Sequence, residues 1–506
     1  MSEQLGLLPE YFTAHLRLTL LALLLGAAFS VPAGVVISRA SWLEGPALGL
    51  ASVIQTIPSL ALLAIMVPTL AALDLQSIGF LPAFIGLVLY SVLPILRNTV
   101  TGLATVDPAL IEAALGVGMT PVQRLRRVEL PLALPVIIAG IRTATVWTVG
   151  MATLSTPVGA PSLGNYIFSG LQTRNFAAVL VGCVAAAFLS LFLDGLVRTL
   201  AAGVQRRSRT LIAVALVILG SLYAYTAASL ARELSPRRDD RVVIGAKTFT
   251  EQYILGAILA GQIERQTGLR AEIVQSLGST VAFDALRASQ IDVYVDYTGT
   301  LWATVMKRDT VGVGRQQVLN GVGRYVQETH GAMLVGALGF ENAYAFAMRE
   351  AEAQRLAISR ISDLVPHAAR LSLGADYEFL SRAEWKAVRD TYGLQFGMSR
   401  SMDPTLMYQA ASQGDVDVIT AFSTDGRISA LGLRVLEDDR SAIPPYDAVI
   451  LASPRLAREH PPALDALRAL AGSIDATSMR RMNLAVDEGG RLPSDVAAEF
   501  LASLGH

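Results

Sequence analysis

The sequence predicts a two-part chain: an all-α polytopic membrane domain of about six spanning helices over residues 1–231, then an α/β domain over residues 241–506. Three observations predict it. Of 506 residues, 52% are apolar and only 16% charged, whereas a soluble chain carries roughly 25% charged residues. The charge is also unevenly spread, with 12 arginines and 8 acids in residues 1–231 against 29 basic and 34 acidic residues beyond them. Finally, apolar stretches occur near 13–38, 47–72, 77–98, 132–156, 176–199 and 210–231. Each is long enough for the ~20 helical residues that cross a ~30 Å hydrocarbon core.

The first stretch has no Lys or Arg before Arg17 and outlasts a signal-peptide core, so it reads as a retained helix. Arg39, Arg97, Arg124, Arg126, Arg127, Arg198, Arg206, Arg207 and Arg209 all fall in alternate loops, and the opposite loops offer essentially Arg174. Basic residues in short loops mark the cytoplasmic side. The loop over 99–131 is therefore inside, and the sixth span delivers residues 232 onward to the outside. Within the spans, Arg142 and Asp194 are ionisable groups expected to pair across the bundle.

The cytoplasmic loop carries Glu112-Ala113-Ala114, then Gly118, then Val128-Glu129-Leu130-Pro131, with Pro135 and Gly140 following. Small residues let a partner approach closely, Gly118 permits a sharp turn, and Pro131 suits the start of the next helix. This pattern, EAA-x3-G-x9-V-x-LP, resembles the coupling motif of ABC importer permeases. The segment from Gly159 to Phe168 resembles the same group. The resemblance implies a type I permease fold, a separate ABC ATPase subunit docked near 108–131 through Glu112, Ala113, Ala114, Gly118, Leu130 and Pro131, and pairing of two copies.

Residues 232–240 read as a polar tether. Beyond it a strand over 241–246, a helix over 251–266, a strand over 271–277, a helix over 280–289 and a strand over 291–296 alternate. Such alternation predicts parallel sheets covered by helices, with a ligand at the carboxyl ends of the strands. The segments VVIGAKTFTEQYILGAILAGQIE, LGSTVAFDAL, IDVYVDYTGT, GFENAYAFAM and GDVDVITAFSTDGRI resemble, in this order, the solute-binding proteins of ABC importers for glycine betaine, carnitine and choline. That family of osmoprotectant carriers includes an ergothioneine-importing branch. The resemblance implies a type II periplasmic-binding-protein-like domain of two α/β lobes, 241–342 with 445–506 and 343–444, fused to the last membrane helix.

A quaternary ammonium group donates no hydrogen bond, so its recognition relies on aromatic faces within ~6 Å. By the resemblance, Tyr297, Tyr344 and Phe422 supply such a cage, Phe422 standing where many relatives have Tyr. Tyr377 and Phe249 are expected to pack instead. Gln252, and Ser279 with Thr280 at a helix start, are expected to orient the rest of the solute, together with Glu341 and Asn342. Osmolyte binders prefer Asn where this chain has Glu341. A carboxylate there accepts from a hydroxyl or a ring N–H, which favours choline or ergothioneine over glycine betaine.

Cys183 is the only cysteine, and His15, His330, His367, His460 and His506 are scattered. No thiolate metal site, phosphate loop or nucleophile elbow is present in the sequence, so neither catalytic residue, metal nor cofactor is expected, and ATP hydrolysis belongs to another chain. The acidic outer half offers no basic surface for nucleic acid. The expected partners are a trimethylammonium solute, an ATPase, a second copy and membrane lipid, at a bacterial cytoplasmic membrane with the C-terminal domain periplasmic or extracellular. The alternative reading is a ligand-sensing membrane receptor built on the same outer domain.

Overall fold

The computed structural model describes residues 6–73, 75–173, 175–234, 241–308, 312–376 and 379–505. They form two compact units, Met1–Phe168 with Ala177–Arg238, and Ser169–Phe176 with Asp239–His506. Arg174, Tyr377 and residues 235–240 of the expected tether lie outside the described residues, while 232–234 continue the preceding helix.

The first unit is helical. Helices Leu8–Ile37, Phe80–Ala104, Phe176–Gln205 and Arg209–Ala231, with the stretch Pro121–Val158, are long and apolar enough to cross a membrane. The expected span over 47–72 is not one helix: Trp42–Thr56 and Ser59–Ala72 meet at 97°. Pro58 is the physical reason. Its ring disfavours helical backbone at the residue before it, and Ile57 is extended with ψ of 127°. Counting that bent pair as one span gives six.

Helix Phe80–Ala104 packs between Leu8–Ile37 and Leu130–Ala152. Gly140 makes the second contact close, since a Cβ there would stand 2.7 Å from the Pro94 carbonyl oxygen. Arg142 and Asp194 pair as expected, Nη2 donating to Oδ2 at 3.1 Å, so neither charge is left exposed to hydrocarbon alone.

The second unit contains ten strands among the described residues: β1 (Arg241–Lys247), β2 (Arg270–Leu277), β3 (Val293–Tyr297), β4 (Met333–Glu341), β5 (Tyr344–Arg349), β6 (Ser372–Ala375), β7 (Met398–Ser401), β8 (Val418–Phe422), β9 (Leu433–Leu436) and β10 (Asp447–Ala452). They form two five-stranded sheets, ordered β2-β1-β3-β10-β4 and β7-β6-β8-β5-β9. In each sheet the strand that follows a crossing, β10 or β5, runs antiparallel to both neighbours. The chain therefore passes between lobes twice, between Glu341 and Tyr344 and between Leu436 and Asp447. β3 and β10 are buried along their whole length, as strands covered on both faces must be. Their carboxyl or amino ends meet at the cleft between the lobes.

Candidate functional site

A cavity of about 340 Å³ opens between the lobes of the second unit, within the size range of small-molecule sites. Tyr297 closes β3, Tyr344 opens β5 and Phe422 closes β8. All three line the cavity. Antiparallel register sets Tyr344 directly opposite Phe422, and directly opposed residues project on the same face. Their ring centroids are 5.1 Å apart.

Phe249 joins them, against the expectation of ordinary packing. It precedes helix Thr250–Thr267, lines the cavity, lies parallel to Phe422 with centroids 6.4 Å apart, and is inclined by 28° to Tyr297 at 6.1 Å. Tyr446 stands edge-on to Tyr344 at 6.0 Å. Lys247 and Arg382 lie 5.2 and 5.5 Å from the Tyr297 and Tyr344 centroids. Lys247 is ion-paired with Asp296, so its charge is answered locally.

The buried acid of the site is Glu251, which sequence reasoning passed over in favour of its neighbour Gln252. Glu251 is 2% exposed. Its Oε1 accepts from the Tyr297 hydroxyl at 2.5 Å and from Asn342 Nδ2 at 3.0 Å. Its Oε2 accepts from the Thr424 hydroxyl and from Asn483 Nδ2 at 3.1 Å. Burial pushes this carboxyl above its ordinary range, and the four hydrogen bonds oppose the shift. Thr424 belongs to the second lobe and Tyr297 and Asn483 to the first, so one carboxylate ties both lobes and a crossing segment together. The Tyr297 phenol is pushed well up, by burial first and by the Glu251 charge second, and stays a donor.

Gln252 does not reach the cavity. Its amide donates to the Tyr297 hydroxyl at 3.0 Å and accepts from the Lys247 amide at 3.3 Å, fixing the ring from behind. Glu341 is likewise displaced from its expected role: it is ion-paired with Arg315 at 2.8 Å and 37% exposed at the side chain. Strand alternation explains this, because Phe340 and Asn342 turn inward and the residue between them must turn outward. Asn342 and Ser279 line the cavity, while Thr280 is not among its lining residues. Asp376, Asp425, Arg427 and Asp487 add charged groups to a polar lining that also includes Gln172, Thr248, Thr250, Thr300, Thr424 and Asn483.

In the first unit, Asp107 caps helix Pro108–Gly116, accepting from the Ala109 amide at 2.9 Å. Glu112 and Ala113 face outward and Ala114 is 4% exposed. Gly118 adopts φ of +76°, a backbone that residues with a Cβ resist. Thr120 and Gln123 then form a capping box, and Leu130 and Pro131 begin the helix back into the bundle, Leu130 half-buried and Pro131 exposed. Glu129, 3% exposed, is paired with Arg39 and, at 2.6 Å, with Arg124. Leu110, Leu115, Val117 and Val122 remain 46 to 73% exposed around the motif.

Residues 240–503 match the family described as the substrate binding domain of ABC-type glycine betaine transport systems. Residues 26–206 match the binding-protein-dependent transport system inner membrane component. The chain is 32% identical over 469 residues, 89% of its length and 82% of the relative's, to the ergothioneine transport permease/ergothioneine binding protein EgtU of Helicobacter pylori. It is 44% identical over 180 residues to the choline transport system permease protein OpuBB of Bacillus subtilis, 36% of this chain and 80% of that one. Over 266 residues it is 32% identical to the carnitine transport binding protein OpuCC of Listeria monocytogenes, 52% of this chain and 86% of that one. The chain thus belongs to the ABC importers of the glycine betaine, carnitine and choline family, with the inner-membrane permease and the substrate-binding domain fused in one polypeptide.

Proposed function

We propose that this chain is the membrane subunit of an ATP-driven importer that captures a trimethylammonium or betaine-type solute, choline, ergothioneine, glycine betaine or carnitine, in the cleft of residues 241–506. Residues 1–231 pass it inward, and the chain beyond the helix that ends at Leu234 joins the two parts. The observation that carries this reading is the convergence of Phe249, Tyr297, Tyr344 and Phe422 on one cavity. Ring faces attract a spread cation that offers no hydrogen bond, and the lining acids Glu251, Asp376, Asp425 and Asp487 outnumber the lining cations Lys247, Arg382 and Arg427. The relatives' ergothioneine, choline and carnitine supply the candidate cargoes.

A separate ATPase docks on the exposed apolar side chains around Glu112 and Gly118, and two copies of the chain pair within surrounding lipid to enclose the pathway. Solute binding closes the lobes, and ATP hydrolysis in the docked subunit opens the pathway. The test is uptake by proteoliposomes carrying the full chain with the ABC ATPase that co-purifies with it. At least one of the four solutes accumulates only with ATP. Accumulation without ATP, or exclusion of all four solutes, contradicts the reading.

A further inference from the structure

At one edge of the cavity two ionisable side chains from opposite lobes keep hydrogen-bonding capacity unspent. Asp487 ends helix Ala476–Asp487 of the first lobe, lines the cavity and is 8% exposed. Its Oδ1 accepts from the Thr250 hydroxyl at 2.6 Å. Its Oδ2 has no hydrogen-bond partner among the described residues. Arg427, from the segment after β8, lines the same cavity and is also 8% exposed. Its Nε is committed to Asp425 at 2.9 and 3.1 Å and its guanidinium lies 4.1 Å from the Tyr408 centroid. Its Nη1 is buried without a hydrogen-bond partner among the described residues. Arg427 and Asp487 feel one another's charge but form no direct ion pair among the described residues.

A stability role does not explain this pair. A buried carboxylate with one hydrogen bond costs free energy, and the carboxyl end of a helix is the wrong end for a negative charge. The position makes sense as recognition. Thr250, which holds Asp487, directly follows Phe249, so the polar edge adjoins the ring cluster. Resting on the reading of the cleft as a trimethylammonium site, we propose that Asp487 and Arg427 form the polar subsite that selects the other end of the solute, a group offering an O–H or N–H donor together with an acceptor. A hydroxyl satisfies both, giving its proton to Asp487 and accepting from Arg427. A ring N–H beside a carboxylate does the same. A solute whose only polar group is a carboxylate satisfies Arg427 and is repelled by ionised Asp487.

Protonation sharpens the discrimination. Burial, with the Asp425 and Glu488 charges, pushes Asp487 up to about 7, opposed by Arg427 and by the Thr250 hydroxyl; Glu251 is a further acid lining the same cavity. Above that value the carboxylate accepts a solute donor in a charge-assisted bond; below it the protonated acid accepts only through its neutral carbonyl oxygen, a weaker bond. Donor-bearing solutes therefore bind more tightly as pH rises from 6 to 8, by about tenfold, the change in ionised fraction across that range.

The test is calorimetric titration of the full chain in lipid nanodiscs with choline, ergothioneine and glycine betaine at pH 6 and 8, for the wild type, Asp487→Asn and Tyr297→Ala. The inference expects the tightest solute to be donor-bearing, to weaken about tenfold at pH 6, and to lose tenfold or more at pH 8 in Asp487→Asn, which flattens the pH dependence. An equal affinity at pH 6 and 8 in the wild type overturns it, whether or not the variant folds. Binding that Tyr297→Ala abolishes and Asp487→Asn leaves unchanged overturns the subsite alone. Absence of binding by all three, and by carnitine in the same assay, overturns both the subsite and the cage.

Discussion

Single side chains decide what the cleft recognises, and Glu251 is the one on which most others depend. Replacing it with Ala leaves the Tyr297 and Thr424 hydroxyls and the Asn342 and Asn483 amides without their shared acceptor. Leaving a buried donor unsatisfied costs about 1–3 kcal/mol. Glu251→Ala in the full chain should therefore lower the thermal midpoint of the outer domain by several degrees and weaken solute binding, because the Thr424 bond joins the lobes. An unchanged midpoint would show that the network is dispensable. Tyr297, Tyr344 and Phe422 are legible through the family resemblance, and each ends or begins a strand at the cleft; Phe249, between β1 and the next helix, carries no such signal. Glu251 is not, because neighbouring helix positions differ by about 100° and nothing local says whether Glu251 or Gln252 faces inward. The available signal is an acid in the first turn, ahead of the apolar run from Tyr253 to Ala260. Glu341 departs from its expected place for a reason the sequence does contain, the period of two that sends it away from Asn342.

At the scale of elements, the segment between helices Pro108–Gly116 and Leu130–Ala152 contains a sharp corner. Gly118 turns it, and a Cβ at that position would meet only open space, so a substitution there acts through backbone strain and not through a clash. Gly118→Val should leave solute affinity unchanged while reducing solute-stimulated ATP hydrolysis in the assembled transporter several-fold, strain at such a position costing of order 1–3 kcal/mol. Equal loss of solute binding would instead indicate a fold defect. The motif and its helices are readable because caps and glycines are local signals. The break at Pro58 is also written in the chain, but apolar periodicity through 47–72 hides it: hydropathy counts residues and does not register a bend. The strand order of the two sheets, by contrast, is settled by long-range pairing of β10 with β3 and β4, which no local pattern encodes.

Across the whole molecule, fusion changes how capture and transport are linked. A substrate-binding domain fused to its permease meets it within one chain, so encounter does not depend on a freely diffusing partner. The polarity contrast between residues 1–231 and the remainder makes this two-part plan visible from composition alone, since membrane and water impose opposite demands on a chain. The central claim is that a ring-lined cleft in the outer domain captures a trimethylammonium solute. Calorimetric titration of the full chain with choline, ergothioneine, glycine betaine and carnitine, wild type against Tyr297→Ala, tests it most directly. Tight binding of at least one solute, weakened about 30-fold by loss of a ring contributing about 2 kcal/mol, is the predicted result; equal affinity in the two proteins, or no heat with any of the four, would contradict it.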